Sequence, residues 1–261
     1  MFNQFRNVIY MFIAANWKMN LDKKSILEFS KSLQKFKFSN KINTCIFPPM
    51  TYIDYLNNLI YNLPISIGGQ NCHFKSSGAF TGEVSASFLK DTGCDYVLIG
   101  HSERRTLNNE NNAEIKLRAE TAINSSLKVI LCVGENLTDR QEDNALEFIE
   151  KQLNDCLPDN FENSFIAYEP IWSIGTGKIP SAIEIQEMHT HIKNITYKIV
   201  NKKINVLYGG SVNDKNIKDI LEITNVDGVL VGGASLKAKD FLAIYSAAVK
   251  HLNTSFILQD I

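Results

Sequence analysis

Apolar residues fall along this chain in short continuous runs, separated by longer stretches in which they recur every three or four positions. The runs cover residues 12–15, 44–47, 65–68, Tyr96–Ile99, Lys128–Val133, Phe165–Tyr168, Asn205–Tyr208 and Gly228–Val231. Each is too short for a helix, and several lack alternation, as strands covered on both faces should. Between them, Ile26, Phe29, Leu33 and Phe36 keep the spacing of one buried helical face. Ile185, Met188, Ile192, Ile195 and Ile199 do the same over a longer helix opened by Pro180 and Ser181. Eight strand–helix units in 261 residues, with no linker or break in composition, predict an α/β fold of one domain. A closed (β/α)8 barrel fits this pattern better than an open doubly wound sheet.

In such a barrel the chemistry sits where strands end. Those ends are Asn16 and Lys18 after the first strand, Gly100-His101-Ser102-Glu103 after the fourth, and Glu169 after the sixth. Gly209-Gly210-Ser211 follows the seventh and Gly232-Gly233 the eighth. The fold would gather them on one rim. Glu169 precedes Pro170 and a segment spaced by Gly175 and Gly177, whose backbones are free to approach a ligand or to swing. A lone acid there suits a general base acting on a small molecule; it also suits an acid opening a helix beside an ordinary turn. Glycine pairs are common in turns, but pairs after strands seven and eight stand where barrels place phosphate, with amide N–H groups free to face it. Lys18 reads either as a solvated rim lysine or as a charge for an anionic substrate. His101 reads as a structural histidine or as a polarising imidazole. No other histidine falls at a strand end, which argues against a metal site, and His189 and His191 face different directions on their helix. Taken together, the groups predict proton transfer next to a carbonyl in a small phosphorylated molecule. Glu169 would take the carbon-bound proton, His101 and Lys18 would stabilise the enediolate oxygens, and segment 168–178 would close to exclude water.

Composition narrows the partners. A net charge of −1 argues against nucleic acid or a membrane surface held by bulk electrostatics, so an anion must be held locally. Five cysteines (Cys45, Cys72, Cys94, Cys132, Cys156) form an odd set without a CxxC pair, which predicts a reducing, cytoplasmic setting rather than disulfides or zinc. No apolar run approaches the roughly 20 residues of a membrane span. Arg6 and the apolar residues 8–15 imitate a signal peptide, but cleavage after Ala15 would remove the first strand. Residues 1–10 therefore read as an N-terminal extension, with Met11 a plausible second start, and 11–261 as the catalytic barrel.

Six blocks carry a family resemblance: ANWKMN at 15–20, GAFTGE at 78–83, YVLIGHSERR at 96–105, YEPIWSIGTGK at 168–178, YGGSV at 208–212 and GVLVGGASL at 228–236. In this order, and over nearly the whole chain from Met11, they resemble the triosephosphate isomerase family. The resemblance implies a TIM barrel that interconverts dihydroxyacetone phosphate and D-glyceraldehyde 3-phosphate without cofactor or metal. It makes Glu169 the base, His101 the neutral electrophile, Lys18 the positive charge at the substrate and Asn16 a polar contact. It gives Gly175, Ser211, Gly232 and Gly233 to the phosphate through backbone N–H groups. Ser102 would touch the base in the open state, Glu103 would stand behind Lys18, and Tyr208 and Ser211 would latch the closed loop. It also implies a homodimer. The irregular segment 70–83, which alone could be any surface loop, would carry Ala79 and Phe80 near its tip, and Thr81 would reach Asn16 and Glu103 of the partner subunit.

Two positions depart from the family. Ser173 replaces the alanine usual in the moving loop, and Pro180 at its second hinge fixes φ and removes an N–H. Altered loop kinetics, with activity kept, are expected. Cys132 ends the fifth strand near the site, where packing explains it. Two rivals remain open on the residues alone. A barrel epimerase of pentose phosphates would need more strand-end ligands in its metal-dependent form. A non-catalytic derivative would be expected to have lost the base or the electrophile.

Overall fold

The computed structural model describes residues 11–174, 176 and 178–257. Eight parallel strands close into one barrel in sequence order: β1 (Met11–Asn16), β2 (Ile42–Phe47), β3 (Ser66–Gly69), β4 (Tyr96–Ile99), β5 (Lys128–Val133), β6 (Phe165–Tyr168), β7 (Asn205–Tyr208) and β8 (Gly228–Val231). β1 closes the ring, with Met11 opposite Ile42 of β2 and Phe12 opposite Gly228 of β8. Removal of residues up to Ala15 would thus break the barrel on two sides. The expected extension, residues 1–10, and the last residues of the expected domain, 258–261, lie outside the described residues.

From β4 to β8 the strands have the bounds of the apolar runs. β1 gains a residue at each end, β2 starts earlier at Ile42, and β3 is shifted by one. Backbone pairing sets these ends rather than hydropathy: polar Asn43 lies inside the ladder opposite Phe12, and Gly69 opposite Val97.

Alternate residues of each strand face opposite ways. Phe12, Ala14, Cys45, Phe47, Leu98, Ile130, Ala167, Leu207 and Leu230 belong to a core inside the barrel. Ile13, Ala15, Ile46, Val97, Leu131 and Val229 pack outward against the helices. Near the amino ends of their strands, Phe12 packs at a tilt against Phe165 and Tyr96, with ring centroids 4.4 and 5.1 Å apart. These rings plug the barrel floor, and truncating a buried phenylalanine to alanine costs about 3–5 kcal/mol.

The helix Lys23–Gln34 starts where Asp22 accepts the Ser25 N–H, and it buries Ile26, Phe29 and Leu33. Phe36, expected on that face, lies past the helix end and packs against Phe38 and Tyr245 instead. The helix Ala182–Val200 opens on a capping box between Ser181 and Glu184 and buries Ile185, Met188, Ile192 and Ile195. All five cysteines are buried free thiols. Among the described residues no helix is long and apolar enough to cross a membrane.

Candidate active site

Glu169 is the first residue past β6, and ladder bonds fix its backbone. Its N–H donates to the Val133 carbonyl at 2.7 Å, and the Gly209 N–H donates to Tyr168 at 2.7 Å. A side chain at Gly209 would place a carbon 3.0 Å from Glu169 Cγ, so the bare backbone there makes room for the acid. The carboxylate is almost wholly buried. Oε1 lies 3.0 Å from His101 Nε2, and Oε2 accepts the Ser102 N–H at 2.9 Å. Burial alone would raise its pKa; the adjoining imidazole, the Ser102 amide and the Lys18 charge outweigh that and hold it below the usual glutamate value. It is an ionised, desolvated carboxylate.

His101 caps the helix Ser102–Leu107, and its Nδ1 accepts the Glu103 N–H at 3.2 Å. A nitrogen that accepts has a free lone pair, so the ring proton sits on Nε2 and points at Glu169. Burial favours the neutral ring, while the Glu169 carboxylate pulls the imidazole pKa above its ordinary value. The amide at Nδ1 opposes that pull, since a protonated ring could not accept it. An Nδ1 engaged in this way favours the neutral ring with its proton on Nε2.

Lys18 has a left-handed backbone (φ 52°) that turns its side chain over the strand end. Its N–H donates to Asn16 Oδ1 at 2.9 Å, and its Nζ meets Glu103 Oε1 at 2.5 Å. Gln70, at the end of β3, donates to the carbonyls of Lys18 (2.8 Å) and Phe47 (2.9 Å) and anchors the turn from beneath.

Asn16, Lys18, His101 and Glu169 line a cavity of about 370 Å³, and Gly209, Gly210, Ser211, Gly232 and Gly233 line it with them. A Cβ at Gly233 would meet nothing within 4 Å, so the backbone there opens onto free space. The Gly232 carbonyl is tied back by both the N–H (2.8 Å) and the hydroxyl (2.7 Å) of Ser235. Ser211 Oγ donates to the Ser173 carbonyl at 2.8 Å, and the buried Tyr208 hydroxyl has no hydrogen-bond partner among the described residues. Pro180 is buried just before the Ser181 cap. Gly175 lies outside the described residues, and Thr81 is exposed and away from this cavity. An ionised acid, a neutral N–H donor and an ammonium thus face a glycine-lined chamber, suited to moving a proton at a carbon beside a polarised oxygen.

Behind Glu169 lies a group that the sequence pattern does not single out. Glu135, two residues past β5, is wholly buried, and its Oε1 accepts from Tyr168 Oη (3.0 Å), Trp172 Nε1 (2.9 Å) and Arg140 Nη2 (2.9 Å). Its carbonyl accepts the Ile171 N–H at 3.0 Å. The segment that leaves Glu169 is therefore moored to the end of the neighbouring strand. The signal was available: Glu135 follows β5 much as Glu169 follows β6.

A family model described as triosephosphate isomerase matches residues 11–248. Among curated proteins, the triosephosphate isomerase of Wolbachia sp. subsp. Brugia malayi (strain TRS) is 45% identical over 240 residues, covering 91% of this chain and 97% of its own. That of Rhizobium meliloti (strain 1021) is 41% identical over 245 residues (90% and 94%), and that of Dictyostelium discoideum 41% over 247 (91% and 96%).

Proposed function

The chain belongs to the triosephosphate isomerase family and is an isomerase of triose phosphates, and we propose that Glu169 is its base. Glu169 carries a proton between neighbouring carbons as dihydroxyacetone phosphate and D-glyceraldehyde 3-phosphate interconvert. One observation carries the assignment: the ionised Glu169 and the neutral Nε2–H of His101 meet at 3.0 Å on the cavity wall.

In this reading the substrate carbonyl oxygen takes over the His101 N–H, which frees Glu169 Oε1. The carboxylate breaks the adjacent C–H bond and holds the proton, and the electron pair moves to the carbonyl oxygen to give an enediolate. His101 Nε2–H and the Lys18 ammonium stabilise that charge. The proton held by Glu169 returns to the other carbon, and the hydroxyl proton moves between oxygens by way of His101. Asn16 orients the same end of the substrate. The backbone amides of Gly175, Ser211, Gly232 and Gly233 take the phosphate. Segment 168–178 closes over the site, with Tyr208 and Ser211 as latches, and keeps water from the enediolate.

The enzyme acts as a homodimer. A second cleft, of about 540 Å³, opens beside Lys18 and is flanked by Met19 and Leu107, which are 95% and 77% exposed. Apolar side chains this exposed around a slot favour burial by another chain. The partner subunit's Thr81 fills the slot and steadies Asn16 and Glu103. Free thiols throughout support a cytoplasmic location, and 11–261 acts as one catalytic domain with 1–10 as an extension.

A coupled assay on the purified protein tests the assignment. Glu169→Gln should lower turnover by about 10² to 10⁴ and keep inorganic phosphate binding. Undiminished turnover in that variant would remove Glu169 from the role.

A further inference from the structure

Ser173 closes the single turn Ile171–Ser173 that follows the base, and it is wholly buried. Its backbone is engaged on both sides: the N–H donates to the Pro170 carbonyl at 2.8 Å, and the carbonyl accepts from Ser211 Oγ at 2.8 Å. Its hydroxyl does something further. Oγ donates to the Lys178 carbonyl at 2.6 Å, joining the near and far ends of the segment by a side chain.

That hydroxyl has a second polar neighbour. The point where a Gly210 Cβ would stand is 2.3 Å from Tyr208 Oη and 3.1 Å from Ser173 Oγ, so the two hydroxyls flank the same spot. Burial raises the pKa of the Tyr208 phenol, and the adjoining Ser173 hydroxyl partly offsets that. A hydroxyl both donates and accepts, so Ser173 Oγ can give its proton to the Lys178 carbonyl and still face Tyr208 Oη. Alanine at position 173 would keep both backbone bonds and lose the hydroxyl's bond to Lys178 together with its place beside Tyr208, and Lys178 is exposed, so its carbonyl would turn to water.

We propose that Ser173 is a positioning residue for the isomerisation: its hydroxyl clamps the segment behind Glu169 to Lys178 and stabilises the resting arrangement, in which the base rests on Ser102 and His101. The inference rests on Glu169 being the base and on the cavity taking phosphate. A clamp present in the resting arrangement and broken when ligand binds opposes binding by its own free energy. One neutral hydrogen bond corresponds to roughly a two- to tenfold effect.

The test uses Ser173→Ala and Ser173→Cys in the full-length protein labelled with 5-fluorotryptophan. Trp172 adjoins the clamp. Trp17, buried and bonded to the Ser235 carbonyl at 3.2 Å, serves as internal reference for an intact fold. Both variants should bind inorganic phosphate roughly two- to tenfold more tightly. Both should change the fluorine exchange rate at Trp172 while the Trp17 signal stays in place. Cysteine keeps the volume with a poor donor, so agreement of the two variants marks the hydrogen bond as the cause. Wild-type behaviour in both variants, weaker phosphate binding, or a cysteine variant that matches wild type while alanine differs would each overturn the clamp. Turnover of Glu169→Gln is measured separately, so failure of the base assignment is told apart from failure of the clamp.

Discussion

The Nε2–H of His101 points at Oε1 of Glu169 across 3.0 Å, a bond open to the neutral ring because Nδ1 is already occupied by the Glu103 amide. Nitrogen-15 spectra of labelled histidine should therefore show His101 neutral near pH 7, protonated at Nε2 and bare at Nδ1. The Glu169 charge raises the affinity of this ring for a second proton. In Glu169→Gln the imidazole should titrate at lower pH than in the wild type. An unchanged or higher titration point would contradict the pairing.

Glu169 hangs from a fixed backbone, so its reach is set by its side chain. Glu169→Asp withdraws the carboxylate by one methylene with its chemistry intact. A misplacement of about 1 Å costs on the order of a hundredfold, and kcat should fall by about that much with little change in KM. Steady-state kinetics in both directions of the reaction check it.

Glu135 is a buried charge with three side-chain donors on one oxygen. Glu135→Ala would take the carboxylate from Arg140, whose side chain is 17% exposed, and leave it the Tyr168 oxygen as its remaining acceptor here. Losing one member of a buried pair costs about 3–5 kcal/mol. Glu135→Gln keeps an acceptor and should lose less. Urea denaturation at fixed protein concentration compares the two, and equal stabilities would show that the mooring carries no weight.

His189 sets an acid limit on stability. It is buried against Tyr168 and Tyr208, its Nδ1 donates to the Asn225 carbonyl at 3.1 Å, and Nε2 has no hydrogen-bond partner among the described residues. Burial pushes its pKa down from 6.5 to about 3. Below pH 6.5 the unfolded chain gains a proton here that the folded chain refuses, so stability falls as pH drops from 6.5 towards 3. The slope from this one group approaches about 1.4 kcal/mol per pH unit. His189→Gln should flatten the stability–pH curve in that window and leave it unaltered above pH 7.

The proposed dimer can be tested at Leu107, which flanks the slot beside Lys18. Leu107→Glu sets a charge on a 77%-exposed apolar residue, so a single chain should fold normally. Dimer affinity should drop by tenfold or more, seen by sedimentation velocity, with activity falling as the protein is diluted.

How much of this was legible varies by residue. The strands from β4 to β8 could be read to the residue because both faces are covered and the apolar runs end where the ladder ends. Glu169, His101 and Lys18 could be placed on one rim because barrel closure leaves strand ends no other destination. Glu135 and Gln70 escaped because hydropathy treats an acid or an amide after a strand as loop; their importance comes from donors and carbonyls on other elements. The left-handed turn at Lys18 was equally hidden, since lysine carries no preference for it. Phe36 misled for the opposite reason: its spacing continued a helix whose backbone had already ended.

The two ladder bonds that flank Glu169, one received from Gly209 by Tyr168 and one given to Val133, belong to the sheet and not to the segment that follows. Substitutions downstream of Pro170 leave both bonds untouched. Under the proposed function, the pace of uptake and release and the alignment of the acid are therefore free to evolve on separate schedules.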